Sequence, residues 1–225
     1  MFAQLNTHTM KKTFVAIIFV LFSWISCNSQ ENKFDFGFNL FPNYSIQYGI
    51  PDLGLLEKLK PSISANLFLE YKFSKKSIFG IGAGYKNNGY RTKKIDLFSI
   101  DPLVPNQMRF IYNHHNIEMP IYYRHNFFSR FFILVGMSGL VNISNTSTSI
   151  RYFSNEETEK NTQEDSSTEF RVFNFSGNLG VGMNYLSNDN ISLFILPNIQ
   201  YGFLGIDKNS TQKILNVGLS TGIRF

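Results

Sequence analysis

Five charged side chains that could perform chemistry lie on the polar faces of segments in which polar and apolar residues alternate. They are Glu70, Lys72, Glu118, Arg124 and Arg224. Because successive side chains of a β-strand point to opposite faces, these charges would point into the interior of a barrel. Such groups could relay ions or protons, but buried charges also need partners of opposite sign. We interpret the five as a lumen polar cluster that fills the interior, with an ion path as the alternative.

Two adjacent histidines, His114 and His115, are candidates for catalysis or metal binding. His114 shares a strand face with Glu118, yet no serine, histidine and acid have a diagnostic spacing. Adjacent side chains of a regular strand point to opposite faces, so both histidines cannot bind one metal ion. The acidic segment 149–168 lacks the glycine and ligand spacing of a calcium loop and is expected to be a mobile exposed loop. The sequence therefore predicts no catalytic residue, no metal site and no cofactor.

The segment 116–127 shows most clearly which elements must position these side chains. One face is apolar and the other polar, the members being Ile117, Met119, Ile121 and Tyr123 against Glu118, Pro120, Tyr122 and Arg124. Since proline donates no ladder hydrogen bond, Pro120 should mark a bulge or a local break. An apolar face backed by a charged one is typical of a membrane barrel, with lipid outside and polar groups inside.

The same alternation predicts eight strands. We place them at 33–48, 62–73, 77–91, a fourth ending near 125, 130–147, 169–186, 191–203 and 211–225. Connections after the second, fourth and sixth strands are short and the others are longer, as in outer-membrane barrels. The expected fold is an all-β, eight-stranded, antiparallel, up-and-down transmembrane β-barrel with both termini in the periplasm.

Glycines alternate along the third strand at positions 80, 82 and 84. They lack the lysine and hydroxyl residue of a phosphate-binding loop, and no helical pattern follows. Glycine at alternate positions is better explained by crowding in a narrow barrel, where other side chains occupy the space. An eight-stranded interior is just wide enough for side chains to fill.

The amino-terminal segment has the pattern of an export signal. Lys11 and Lys12 precede an apolar core that is too short for a helical span. We predict a signal peptide at residues 1–29, a true start at Met10, and a mature barrel domain at 30–225. Lipidation at Cys27 is the alternative to cleavage near Gln30.

Composition excludes one class of partner and favours another. The formal net charge is only +5 and no basic stripe is present, so nucleic acid is not an expected partner. The chain is rich in aromatic residues, with 24 Phe and 11 Tyr. Aromatic residues flank the apolar faces of membrane barrels, so outer-membrane lipid is the expected environment.

The segment 116–124, Asn-Ile-Glu-Met-Pro-Ile-Tyr-Tyr-Arg, resembles a characteristic strand of the PorT-like family of small outer-membrane barrels, and the carboxyl end Gly-Ile-Arg-Phe adds to the likeness. Glu118 and Pro120 lie in the family-like strand motif. The resemblance implies residence in the cell outer membrane, and some members are linked to protein secretion. The final Phe225 resembles the terminal aromatic residue that the barrel-assembly machinery recognises.

These observations favour a non-enzymatic integral outer-membrane protein that acts as a structural or interaction module. Accessory roles in protein secretion or envelope assembly, with an envelope or secretion protein as partner, follow from the resemblance. Two alternatives stay open. One is an outer-membrane enzyme that modifies lipid A, and the other is a soluble periplasmic barrel that binds a ligand.

Overall fold

The computed structural model describes residues 33–48, 56–98, 101, 104–128, 130–164, 170–187, 191–206, 208 and 212–225. The predicted signal peptide and the alternative lipid anchor at Cys27 lie outside these residues. The strands are β1 (Phe34–Tyr48), β2 (Leu56–Lys58), β3 (Lys60–Lys72), β4 (Ser77–Thr92), β5 (Ile95–Asp96), β6 (Gln107–Asn126), β7 (Phe131–Tyr152), β8 (Thr158–Glu164), β9 (Phe173–Ser187), β10 (Ser192–Gly202) and β11 (Lys213–Arg224). The described residues contain no helix that is long and apolar enough to cross a membrane.

Eight strands close into a ring in the order β1, β3, β4, β6, β7, β9, β10 and β11. The ring is completed by antiparallel pairing of β1 with β11, from Gly37 opposite Arg224 to Tyr48 opposite Lys213. Because every neighbour is antiparallel and sequential, the predicted eight-stranded up-and-down barrel is confirmed. Closure leaves no ring strand with a free edge, as a hydrocarbon environment requires.

The two faces of each ring strand differ as the alternation predicted. Leu67 and Val181 on the outer face are 51% exposed, whereas Ser64 and Glu118 on the inner face are 0% and 1% exposed. A soluble barrel buries its apolar side chains and leaves polar ones in water. This barrel has the opposite distribution, with apolar side chains exposed and polar side chains buried. The soluble ligand-binding alternative is therefore not supported.

Aromatic side chains gather at both ends of the apolar exterior. At the end with the short connections, which we call the turn end, Phe34 lies 5.0 Å from Tyr71 between ring centroids. At the opposite end, the extension end, Tyr48 lies 5.2 Å from Tyr201. Such girdles flank the lipid-facing band of membrane barrels. On β1, the exposed aromatic residues Phe34 and Tyr44 lie roughly 25 Å apart along the barrel axis, for a strand rise of about 3.3 Å and a tilt of about 40°.

Pro120 interrupts one of its two ladders. Pairing between β4 and β6 runs from Ile81 opposite Ile121 to Gly84 opposite Glu118, and no partners pair between these positions. On the other side, Pro120 pairs with Ser138 in regular register. The expected local break is therefore present, without a change of register. The bulge between β6 and β7 lies instead at His115 and Asn116.

Strands β6 and β7 continue past the end of the ring, where β8 pairs with β7. We call this three-stranded sheet the extension. Residues Thr146–Tyr152 of β7 pair both with Gln107–Asn113 of β6 and with Thr158–Glu164 of β8. The expectation of a mobile loop at 149–168 was wrong over Ser149 to Glu164. Backbone hydrogen bonds stabilise this polar hairpin without an apolar face, so the alternation of side chains did not reveal it.

Candidate functional site

Three of the five predicted polar residues meet inside the barrel near the turn end. Arg124 Nη2 donates to Glu70 Oε2 at 2.7 Å, and Arg224 Nε lies 3.1 Å from the same oxygen. The Tyr122 hydroxyl donates to Glu70 Oε1 at 3.0 Å. Since all four side chains are less than 10% exposed, Glu70 is the buried anion that two guanidinium groups share.

These side chains come together because even-numbered positions of β3, β6 and β11 all point inward. Gly80 of β4, directly opposite Tyr122, makes room for the phenol ring. A Cβ at Gly80 would lie 2.2 Å from Tyr122 Cζ, which is far closer than van der Waals contact. The glycine pattern therefore serves the interior packing that the sequence suggested.

An aromatic plug fills the middle of the barrel beside this charged group. It consists of Phe68, Phe132, Phe194 and Leu196, each 5% exposed or less. Arg224 lies over the Phe194 ring at 4.4 Å from its centroid, and Arg124 lies 5.3 Å from that of Phe132. The plug occupies the middle of the lumen with buried apolar side chains, and cation–π contacts join it to the arginines.

Each plug ring lies opposite a glycine of the adjacent strand. Phe68 pairs with Gly37, Phe132 with Gly182, and Phe194 with Gly222. A Cβ at any of these glycines would come within 2.5 Å of the facing ring. The rings thus lie flat over glycine backbone, which is how aromatic residues compensate for the missing side chain.

Glu118 belongs to a second buried group on the extension side of the plug. Lys86 Nζ lies 3.5 Å from Glu118 Oε1, and both side chains are 1% exposed or less. Asn66 donates to Glu118 Oε2 at 3.3 Å, and Lys86 also donates to Gln200. The four groups therefore form a compact polar network that partners an otherwise isolated carboxylate.

Lys72 lies apart from both groups, at the mouth of the turn end. Its ammonium is 2.6 Å from Asp35, and the Lys72 side chain is about a third exposed (35%). The predicted single cluster of five is therefore three separate ion-pair groups. Tilting of the strands sets the depth of each residue in the barrel, and alternation alone contains no information on depth.

Sequence reasoning missed Lys86 and the aromatic plug. Lys86 lies on the same face as Gly80, Gly82 and Gly84, so period-two alternation would have placed it inward. Phe132 lies in an apolar run whose alternation is blurred, and Phe194 has apolar neighbours on both sides. In both places the inward and the outward residues are all apolar, so no alternation of polar and apolar side chains is visible.

The two histidines point in opposite directions, as expected for adjacent strand positions. His114 is 4% exposed, and its Nδ1 lies 2.7 Å from Asn145 Oδ1. His115 contacts the Tyr85 hydroxyl on the outer face. No group of three or more potential metal ligands occurs among the residues that the structure describes. No observation here favours the lipid A alternative.

Phe225 closes the ring at the turn end. Its backbone N–H donates to Phe36 O at 2.8 Å, and the two rings stack at 5.1 Å. The side chain is 45% exposed on the outer face. An exposed terminal ring is accessible for recognition, and the assembly-signal role stays a prediction.

The sequence matches the family described as "Outer membrane protein beta-barrel domain" over residues 28–209. The chain belongs to this family. Membership of this family indicates an outer-membrane location. The apolar exterior, the aromatic girdles and the closed ring agree with that location. A search of curated proteins gives no match to this sequence.

A search of solved structures finds several outer-membrane barrels that are similar to this chain. Neisserial surface protein A is 12% identical with a TM-score of 0.42, over 85% of this chain and 96% of that one. Ail of Yersinia pestis is 14% identical with a TM-score of 0.40, over 85% and 98%. The N-terminal barrel domain of Pseudomonas aeruginosa OprF is 10% identical with a TM-score of 0.32, over 85% and 97%. At these identities and TM-scores, no function is transferred.

Proposed function

We propose that this outer-membrane barrel is a closed, non-enzymatic structural and interaction module, and not a pore. The observation that carries the proposal is the aromatic plug, with a buried ion-pair group on each side of it. Ions crossing the barrel would have to displace Phe132, which is 0% exposed, or break the contacts of Glu70 and Glu118. Each of these steps is costly in a close-packed interior.

Planar-bilayer recording of the purified barrel tests this closure. Wild type should give little conductance. A Phe132→Ala, Phe194→Ala double variant should conduct more, because it removes two rings from the plug while leaving the ion pairs in place. Large and stable single-channel steps from wild type would contradict the proposal and identify the protein as a pore.

The proposed orientation places both termini in the periplasm and the extension outside the cell. Short periplasmic turns and long outer loops are usual in these barrels, and here β6, β7 and β8 lengthen the outer side. We infer that residues 1–29 are removed, that the barrel-assembly machinery recognises Phe225, and that the protein is PorT-like. The extension would then be the surface that meets an envelope or secretion partner.

β8 is the part of the extension best suited to contact a partner. Every residue of Thr158–Glu164 is exposed, and β8 pairs only with β7 among the described residues. Its second edge therefore presents backbone groups to which another strand can add.

Cross-linking in native membranes, followed by co-purification, tests the role of this edge. Thr162→Pro removes one backbone donor at the edge strand, and Thr158→Pro is a matched change nearer the hairpin turn. Loss of a specific partner with the first variant, while membrane insertion is retained, supports the interaction role. Equal recovery from both variants and wild type would contradict it.

A further inference from the structure

We propose that the turn end of the barrel contains a binding site for a small oxyanion, best matched by a phosphate group. The site is a vestibule of about 190 Å³ that opens at the mouth of the barrel. Its lining includes Asp35, Lys72, Lys75, Arg124, Asn126 and Arg224. This site goes beyond the proposed function and does not depend on it.

The floor of the vestibule has more positive than negative charge. Arg124 and Arg224 are 3% and 5% exposed, and they share the single carboxylate of Glu70. One buried guanidinium is therefore not neutralised inside the barrel. Burial of an uncompensated charge is unfavourable, so an anion in the adjoining vestibule would stabilise the pair of arginines.

The walls add a second uncompensated cation. Lys72 pairs with Asp35 at 2.6 Å, so these two charges cancel. Lys75 lines the same space and has no ion-pair partner among the residues that the structure describes. The four cations of floor and walls exceed the side-chain carboxylates of Glu70 and Asp35 by two charges. The carboxyl group of the final residue, Phe225, also lines this space and reduces the excess to one positive charge, which still favours an anion.

Hydrogen-bond donors are also available there. Arg124 uses Nη2 for Glu70, and Arg224 uses Nη1 for Asn184 Oδ1 at 2.9 Å. The other terminal nitrogen of each guanidinium, Nη1 of Arg124 and Nη2 of Arg224, makes no hydrogen bond to any described residue. Guanidinium groups bind phosphate and carboxylate oxygens through paired donors. A space of this size holds about six waters at roughly 30 Å³ each, enough for a phosphate group and part of its substituent.

Isothermal titration of the full barrel in a non-ionic detergent tests the site directly. The probes are inorganic phosphate, glycerol 3-phosphate as a monoester, and glycerophosphoethanolamine as the diester of a phospholipid headgroup, all at constant ionic strength. We expect saturable binding of the first two, weakened by added sodium chloride. Preference for the diester would still support an oxyanion site, and it would show that the bound phosphate group belongs to a phospholipid headgroup.

Three variants separate this site from general charge effects. Lys75→Gln should weaken phosphate binding by about two- to fivefold, as expected for one exposed charge. Lys76→Gln is the matched control, because Lys76 is the adjacent exposed lysine and does not line the vestibule. Asp35→Asn should strengthen binding by a similar factor, since it removes a nearby negative charge and frees Lys72.

Folding of each variant is checked by its gel mobility before and after heating. Absence of saturable phosphate binding by folded wild type would overturn the proposal. Equal weakening by Lys75→Gln and Lys76→Gln would overturn it as well, because the effect would then report net charge. Opposite signs for Lys75→Gln and Asp35→Asn, with no effect of Lys76→Gln, would support it.

Discussion

At the scale of single residues, the interior depends on shared partners. Among the described residues, Glu70 is the one carboxylate that forms ion pairs with both Arg124 and Arg224, so its removal leaves two buried cations near each other. Removing one member of a buried ion pair is far more costly than replacing the whole pair by apolar groups. Removal of Glu70 should therefore lower the stability of the barrel more than removal of either arginine.

Glu70→Gln should destabilise the barrel by about 3–5 kcal/mol, because the amide keeps hydrogen-bonding capacity but loses the negative charge. Asp35→Asn is the matched change in the partly exposed pair with Lys72, and it should cost about 1 kcal/mol or less. Reversible urea unfolding from lipid bilayers measures both free energies. Similar losses for the two variants would show that burial does not set the energy of these pairs.

Gly182→Ala tests the packing of rings over glycines. The new Cβ would lie 2.2 Å from Phe132 Cζ, and Phe132 is fully buried, so we expect a loss of about 1–3 kcal/mol. Gly139→Ala is the control, because no atom lies within 4 Å of a Cβ at that position. The same unfolding assay should find it close to neutral. If Phe132→Leu fails to relieve the Gly182→Ala defect, the contact between these two residues is not its cause.

At the scale of elements, each ring strand is an amphipathic ribbon whose outer residues differ in depth. Val181 and Val172 are 51% and 55% exposed on or next to β9. Val181 lies in the middle of the apolar band, whereas Val172 precedes the strand at its aromatic extension end. Depth in the membrane, and not exposure, distinguishes these two positions.

Val181→Arg should therefore cost about 2–4 kcal/mol, since hydrocarbon cannot solvate the charge. Val172→Arg should cost roughly 0–1 kcal/mol, because interfacial water and headgroups solvate the guanidinium there. Folding free energies in bilayers give both values. A larger loss for Val172→Arg would mean that β9 is placed at another depth.

At the scale of the whole molecule, closure of the ring and the open edge of the extension have opposite consequences. The eight ring strands leave no unpaired edge inside the membrane, which makes the barrel resistant to local opening. Outside the ring, β8 has only one partner strand among the described residues. The molecule thus combines a rigid anchor with a surface that is able to pair.

The closed ring should give heat-modifiable migration on detergent gels. Unheated protein from the membrane fraction should stay folded in dodecyl sulfate and migrate differently from the boiled chain, because all ring hydrogen bonds must break together. Extraction should require detergent. Recovery of the protein as a soluble monomer without detergent would contradict a membrane barrel.

The sequence by itself determined the number of ring strands, the direction of each face and the inward position of the predicted charges. Alternation with a period of two encodes these features locally, as in Leu179 and Val181 against Asn178 and Gly180. It also indicated that the glycines make room for other side chains. It did not reveal the β7–β8 hairpin, whose polar strands are joined by backbone pairing, by a Thr148–Thr162 hydrogen bond and by an Arg151–Glu159 ion pair.

Only the tertiary structure decided which interior groups meet. Glu70 of β3 reaches Arg124 of β6 and Arg224 of β11, although neither strand is next to β3 in the ring. Contacts across the lumen depend on the tilt and stagger of all eight strands, and no short segment encodes those quantities. For the same reason, the division of the charges into three groups and the vestibule whose floor is formed by Arg124 and Arg224 follow from closure of the barrel.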